Sequence, residues 1–261
     1  MSEKIGLGLI TYNRPEYFKK SFNSIPLYAV DEIVIVNDGT PYGEEIHVPH
    51  IQHKKNMGVG ISKNDALKHL LNKGCDFIFL MEDDIIIKNP EVFQTYIKTY
   101  KETGIHHFNY SQHGLMNKRP NSNIPAPKNK IEYSNSISIE LYPHCVGAFS
   151  FYTKKCLENV GFIDESFHNA LEHVEHTYQI IQKNMHPPFW WFADISNSNE
   201  YLTDIPWSPE TSTISSKSNH NQNFTNSLLK FKKKHNKNLL EMVPEPLDNV
   251  KLALKQIYKL K

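Results

Sequence analysis

The chain has 261 residues, 39% of them hydrophobic, which is enough to bury one substantial core. Its 29 basic and 28 acidic side chains leave a net charge of +1, so no global field draws it to nucleic acid or to an anionic surface. Cys75, Cys145 and Cys156 are too few and too scattered for a disulfide framework or a zinc knuckle; a reducing, cytoplasmic setting is expected.

A strand is predicted over Ile5 to Ile10, after a stretch too short for a signal peptide. It ends at Thr11-Tyr12-Asn13-Arg14, and Pro15 then suits the first turn of a helix whose apolar face is Tyr17, Phe18, Phe22 and Ile25. A second strand, Glu32 to Val36, stops at Asn37-Asp38-Gly39, a turn signature. His50 to His53 reads as a short third strand. Helical spacing of Ala66, Leu67, Leu70 and Leu71 follows in NMGVGISKNDALKHLL. Phe77 to Met81 is a fourth strand, closed by Glu82-Asp83-Asp84. Alternation of strands and helices predicts an α/β layered sheet, and such sheets bind ligands at the carboxyl ends of their strands, where these polar clusters fall.

Ser111 to Ser138 is rich in Asn, Pro, Lys and Ser and is expected to run as a long loop over the surface. Order returns with a strand through Ala148 to Tyr152 and helices from Lys154 to Val160 and Ala170 to Gln182. On the second helix Leu171, Val174 and Tyr178 share a buried side, with Glu172, Glu175 and His176 toward another face. Beyond Asp204, Ser, Thr and Asn dominate to about Asn226. From Lys230 onward nine lysines stand against three acids in a helical pattern, a possible peripheral contact with a membrane surface, although a solvated helix explains the charge run as well. No stretch reaches the roughly 20 apolar residues of a spanning helix.

Three adjacent acids repel one another unless water or a cation relieves the field. Carboxylate oxygens suit Mn²⁺ or Mg²⁺, which bind through one or two carboxylates together with phosphate oxygens. A solvated turn is the plain alternative. His173 and His176, spaced i and i+3 with no identifiable third ligand, make a poor zinc pair.

Five segments in order, ITYNRPEYFKKSFNSI, EIVIVNDGT, NMGVGISKNDALKHLL, FIFLMEDDIIIKNP and GAFSFYTKKCLENVGFIDESF, resemble the family 2 glycosyltransferases of GT-A fold. The resemblance implies a single GT-A-like domain with a Rossmann-like, mixed and mostly parallel sheet flanked by helices. It divides into a nucleotide half (1–100), an acceptor half (101–205) and a lid with a basic helical tail (206–261). It implies a metal-dependent, hexosyltransferase-like enzyme that moves a sugar from a nucleoside diphosphate, UDP foremost, to a glycan or lipid-linked hydroxyl with inversion.

The resemblance also implies roles. Thr11, Tyr12, Arg14 and Asp38 would lie at the nucleotide base. Asn56 and Gly58 would approach the ligand, Lys63 would hold the phosphates or help fix the acidic cluster, and Glu82 and Asp83 would line the donor site. The family's acidic triplet reads Asp-x-Asp, and here Glu82 replaces its first acid; Asp84 keeps the position that reaches the metal, with His220 as a candidate ligand from the carboxyl-terminal side. The family's acidic pair at a helix start falls on Glu172-His173, with His where the base would be, so Glu172 is the expected base and His173 the second candidate. Trp190, Trp191 and Trp207 are candidate sugar platforms, although core packing accounts equally for two of them. Two other classes remain: a sugar nucleotidyltransferase, which should open with a glycine-rich phosphate loop that TYNRPEYF does not supply, and a non-catalytic glycan-binding or scaffold protein on the same fold.

Overall fold

The structure, a computed structural model, describes residues 3–43, 47–206 and 218–257. Its first half runs β1 (Ile5–Thr11), α1 (Pro15–Asn23), β2 (Glu32–Asn37), β3 (His50–Gln52), α2 (Val59–Asn72) and β4 (Phe77–Glu82). β1 lies between β2 and β4, parallel to both, and β3 extends the parallel run at the edge. β1 is buried along its whole length, as a strand covered on both faces must be, and reads as an unbroken apolar run for that reason. Ala66, Leu67 and Leu70 of α2 cover one face against Val34, Val36 and Ile78. On the other, Phe79 packs among Phe93, Tyr96 and Phe151 with ring centroids 5.0 to 6.1 Å apart.

After β4 come β5 (Ile85–Ile87), α3 (Val92–Thr103), β6 (His107–Asn109), β7 (Asn129–Ser134), β8 (Ile137–Tyr142), β9 (Phe149–Thr153), α4 (Lys154–Val160) and α5 (Glu172–Gln182). β9, antiparallel to its neighbours β4 and β6, and β6, which runs in the direction of β1 to β4, complete the six-stranded sheet in the order β3-β2-β1-β4-β9-β6. β10 (Phe192–Ile195), β11 (Leu202–Asp204), α6 (His220–His235) and α7 (Leu247–Ile257) follow. β5 pairs with β11, Ile85 opposite Asp204, which ties the turn after β4 to a strand more than 100 residues further along the chain.

The long surface loop expected over 111–138 is only partly that. Ser111, Gln112 and Asn117 are buried, and Asn129 onward forms a second, three-stranded sheet ordered β10-β8-β7. Its Ile131, Tyr133, Ile139 and Ala193 join the same core as β1, β4 and α7, whose Val250 and Leu254 are fully buried.

The amphipathic reading of α5 also changes. The helix starts at Glu172, after Leu171 in the left-handed region (φ 62°), and Glu175 and His176 are as deeply buried as Val174 and Tyr178. His176 Nε2 meets the Gly161 carbonyl at 3.0 Å. Glu175 is paired by Lys234 at 3.0 Å and His235 at 2.8 Å, both from α6. The basic tail is thus docked: Phe231 is buried against Tyr178, and Lys234 also reaches Asp164 at 2.6 Å. No helix among the described residues is long and apolar enough to cross a membrane.

Candidate active site

β1, β2 and β4 end side by side, and their terminal residues share one cleft as the strand order requires. Asp83 is buried and accepts from Thr11 Oγ1 at 2.6 Å and from Arg14 Nη2. Because the single Thr11 hydroxyl proton goes to Asp83, the Tyr42 hydroxyl, 2.6 Å away, donates to Thr11 and itself accepts from the Arg14 amide at 3.2 Å. Burial pushes the Asp83 carboxyl up while Arg14 and Thr11 oppose it; with two donors on the carboxylate, we take the ionised form as the resident one. Thr11→Val keeps the shape and removes one of those donors, so an expected loss of about 1–3 kcal/mol should appear in urea unfolding; an unchanged midpoint would mean that this bond carries no stability.

Arg14 Nη1 also donates to Asp84 Oδ2 at 3.1 Å, and both acids outweigh burial in raising the guanidinium. His113 Nε2 lies 3.8 Å from the same oxygen, and His113 Nδ1 lies 3.9 Å from Asp204. Asp84 Oδ1 is buried and has no hydrogen-bond partner among the described residues. Among the described residues no three His, Cys, Asp or Glu side chains form a ready-made ligand set. One such carboxylate oxygen, next in sequence to cavity-lining Glu82 and Asp83, fits an ion that takes a single protein carboxylate and finds its remaining ligands on phosphate and water. His220 opens α6 and borders the wide cleft described below, with its Nδ1 buried and unpaired among the described residues, but it is His113 that stands within ion-pair range of Asp84.

Lys63 holds the centre. Its ammonium is buried, 2.7 Å from Glu82 Oε1, 2.9 Å from the Gly147 carbonyl and 3.8 Å from Glu172 Oε1. Burial works against its charge, and Glu82 and Glu172 more than restore it. A Cβ on Gly147 would lie 2.9 Å from that ammonium and 3.0 Å from His173, so a side chain here would have to displace both. Burial likewise opposes the charge of Glu172, but His173 and Lys63 win and hold its carboxyl down at about 2. His173 is clamped, Nδ1 on Glu172 Oε1 and Nε2 on the Cys145 carbonyl, both at 3.1 Å. With both ring nitrogens facing acceptors, it offers no free lone pair to a substrate.

Asp38 serves a loop. Its Oδ1 takes the Met57 amide at 2.7 Å and His53 Nδ1 at 2.6 Å, and its Oδ2 takes the Gly58 amide at 2.8 Å. Gly58 sits at φ 98°, where a Cβ would meet His168 at 2.8 Å, so the loop that starts α2 needs glycine there. Tyr12, Arg14, Asp38, Asn56 and Glu82 border a narrow cavity of about 50 Å³. Beyond Glu82 and Asn169, which line both, opens a cleft of about 700 Å³ with Glu172 and His173 at its side.

Trp190 lines the wide cleft, its Nε1 donating to the Met242 carbonyl at 2.9 Å; Trp191 is buried, with Nε1 on the Glu245 carbonyl at 2.6 Å. Trp191 therefore packs, and Trp207, with most of the expected lid, lies outside the described residues. Four site residues escaped the sequence: Tyr42, His113, Asn169 and Asp204. Their signal was weak, since each lies in a loop or at a strand end, and Tyr42 and Asn169 fall just outside the segments that carry the resemblance. Only the left-handed Asn169 (φ 53°), a conformation Asn tolerates, hints at a special position.

No protein-family model matches the chain. Among known proteins it is similar to an uncharacterized glycosyltransferase of Acanthamoeba polyphaga mimivirus, 25% identical over 231 residues that cover 81% of this chain and 85% of that protein. Solved structures similar to it include S. aureus TarS, 20% identical over 68% of this chain and 55% of that one with a TM-score of 0.46. A Pyrobaculum calidifontis mannosyltransferase in complex with GDP-Man and Mn²⁺ is 14% identical over 69% and 52%, TM-score 0.48. The catalytic domain of Drosophila β1,4-galactosyltransferase 7 with xylobiose is 10% identical over 81% and 74%, TM-score 0.49. The chain thus spans about half the length of the first two of these structures. The resemblance drawn from the five segments is accompanied by this similarity to a glycosyltransferase, and the central sheet is mixed and mainly parallel, as that resemblance implies.

Proposed function

We propose that the protein transfers a sugar from a nucleoside diphosphate, UDP foremost, to an acceptor hydroxyl, with Mn²⁺ or Mg²⁺ bound and with inversion at the anomeric carbon. The observation that carries this reading is Lys63, which joins a donor-side acid, Glu82, to an acceptor-side acid, Glu172, at the junction of the two cavities. Asp84 would hold the ion through its unpaired Oδ1, and the ion would supply charge neutralisation to a departing diphosphate. Tyr12 and Arg14 border the nucleotide side, and Arg14 has a guanidinium suited to phosphate oxygens.

Glu172 takes the acceptor proton. A carboxylate held at about 2 is a weak base toward a free alcohol. As the new carbon–oxygen bond forms, however, the attacking hydroxyl becomes oxonium-like and strongly acidic, and a weak, well-placed base suffices. Lys63 keeps the base ionised and His173 fixes its orientation.

The test is release of nucleoside diphosphate from a panel of UDP-, GDP- and dTDP-sugars with Mn²⁺, followed by NMR of the product's anomeric configuration. One donor should turn over with inversion, and Asp84→Asn should reduce the rate by about 100-fold or more on the scale of lost electrostatic stabilisation. Retained configuration would remove the single-base mechanism, and turnover unaffected by Asp84→Asn would remove the metal from it.

A further inference from the structure

We propose that the wide cleft seats an acceptor whose reacting hydroxyl is carried on an apolar body, an alkyl chain or an aromatic ring system, rather than a free oligosaccharide. This rests on the transferase reading and names the substrate class of its acceptor side.

The walls carry the argument. Val146, Leu171, Val174, Trp190, Phe224 and Met242 face a space of about 700 Å³, the size of cavity that encloses a whole small molecule. Apolar side chains continue to the mouth, where Met116 is 63% exposed, Leu240 71% and Phe224 38%. Exposed large apolar groups gathered at the rim of one cavity mark a binding surface, whereas scattered ones need no explanation.

The polar groups at the inner end are occupied with one another: Glu82 and Glu172 with Lys63, His173 with Glu172 and the Cys145 carbonyl, Asn169 Oδ1 with the Val59 amide. His113, His144 and His220 are the other polar side chains on the border. A glycan filling this volume would set most of its hydroxyls against Val, Leu and Met side chains that can neither donate nor accept, and buried hydroxyls without partners disfavour binding. An apolar body reverses that sign and leaves one hydroxyl to meet Glu172. The apolar wall is also fixed in place. Trp190 is held by the Met242 carbonyl at 2.9 Å, and Leu239, beside Leu240, is buried with Phe231, Tyr178 and Phe189.

Calorimetry with n-octyl β-D-glucoside below its micelle concentration, 2-naphthyl β-D-glucoside and methyl β-D-glucoside distinguishes the possibilities, with UDP plus Mn²⁺ titrated in parallel. The octyl or the naphthyl glucoside should bind at least about tenfold more tightly than the methyl glucoside, given the free energy of burying several methylene groups. Preference between the two identifies an alkyl or an aryl acceptor. Leu240→Asp, at an exposed position where folding is not at risk, should remove about tenfold of that affinity. Leu252→Asp, exposed on α7 away from the cleft, should leave it intact. Equal binding of all three glucosides, or binding indifferent to Leu240→Asp, overturns the proposal. If UDP still binds with Mn²⁺ in that case, the inference fails alone; if neither class of ligand binds, the transferase reading falls with it.

Discussion

Lys63→Met is expected to lower the melting temperature by on the order of 10 °C and to abolish transfer, because it leaves Glu82 and Glu172 facing each other around an emptied cation position. Removing one partner from a buried ion pair costs about 3–5 kcal/mol, more than forming the pair gains, since the desolvated carboxylates keep their charge and lose their counterion. The Gly147 carbonyl also loses its donor. Calorimetric scanning measures the first effect and donor turnover the second. A midpoint within about 2 °C of the parent would mean that Lys63 does not anchor the junction. The double variant Lys63→Met with Glu82→Gln removes one acid together with the cation and should recover part of the lost stability, which tests the electrostatic cause directly.

The second large effect falls on Glu172→Gln. The side chain keeps its size and loses its charge, so transfer should drop by about 10²–10⁴-fold if Glu172 is the base, with the Kd for nucleoside diphosphate changed by less than about threefold. Its stability effect depends on pH with a definite sign. The Glu172 carboxyl is held down from the ordinary glutamate value of 4.5 to about 2, so the native state favours its ionised form. That contribution, about 3 kcal/mol, is fully present above pH ~4.5 and is lost as pH falls through ~2. The stability gap between parent and Glu172→Gln should therefore be widest at neutral pH and shrink steadily from about pH 5 to pH 3 in urea titrations. A gap independent of pH over that range would contradict the assigned interactions with His173 and Lys63, and full transfer activity in the variant would move the base elsewhere.

Much of this arrangement was legible because it is local. β1, β2 and β4 are short apolar runs that end in polar clusters, and α2 carries its apolar stripe at helical spacing, so strand ends, cleft and acidic turn follow from pattern alone. Even Lys63 stood out as a cation for phosphates or for the acidic cluster, to which its partner Glu82 belongs. Its second partner did not, because Glu172 opens α5 some 90 residues after Glu82 closes β4, and no periodicity links them. The same reason hides the burial of α5: its polar face is satisfied by Lys234 and His235 of α6, which the sequence offers only as part of a basic tail.

The second sheet is a different case. Lys130-Ile131-Glu132-Tyr133 alternates as a half-buried strand should, but it stands amid Asn, Pro and Ser; its partner β8 follows directly, while β10, which completes the sheet on the far side of β8, begins about 50 residues after β8 ends. His113 and Asp204 became site residues only through the pairing of β5 with β11, which draws Asp204 to the turn that carries Asp84. The proposed preference for Glu172 over His173 as the base rests on geometry, since the clamping of His173 between Glu172 and a carbonyl is invisible in an acid-histidine dipeptide.

Calorimetric titration of UDP, GDP, dTDP and CMP, with Mn²⁺ and with chelator, on the parent and on Asp84→Ala, tests the account most directly. It predicts that one nucleoside diphosphate binds in the presence of Mn²⁺, and that chelation and the substitution each weaken that binding at least about tenfold, the scale of one lost charge-assisted contact. Folded protein that binds none of the four under either condition would contradict it, and would direct attention to a glycan-binding role without chemistry.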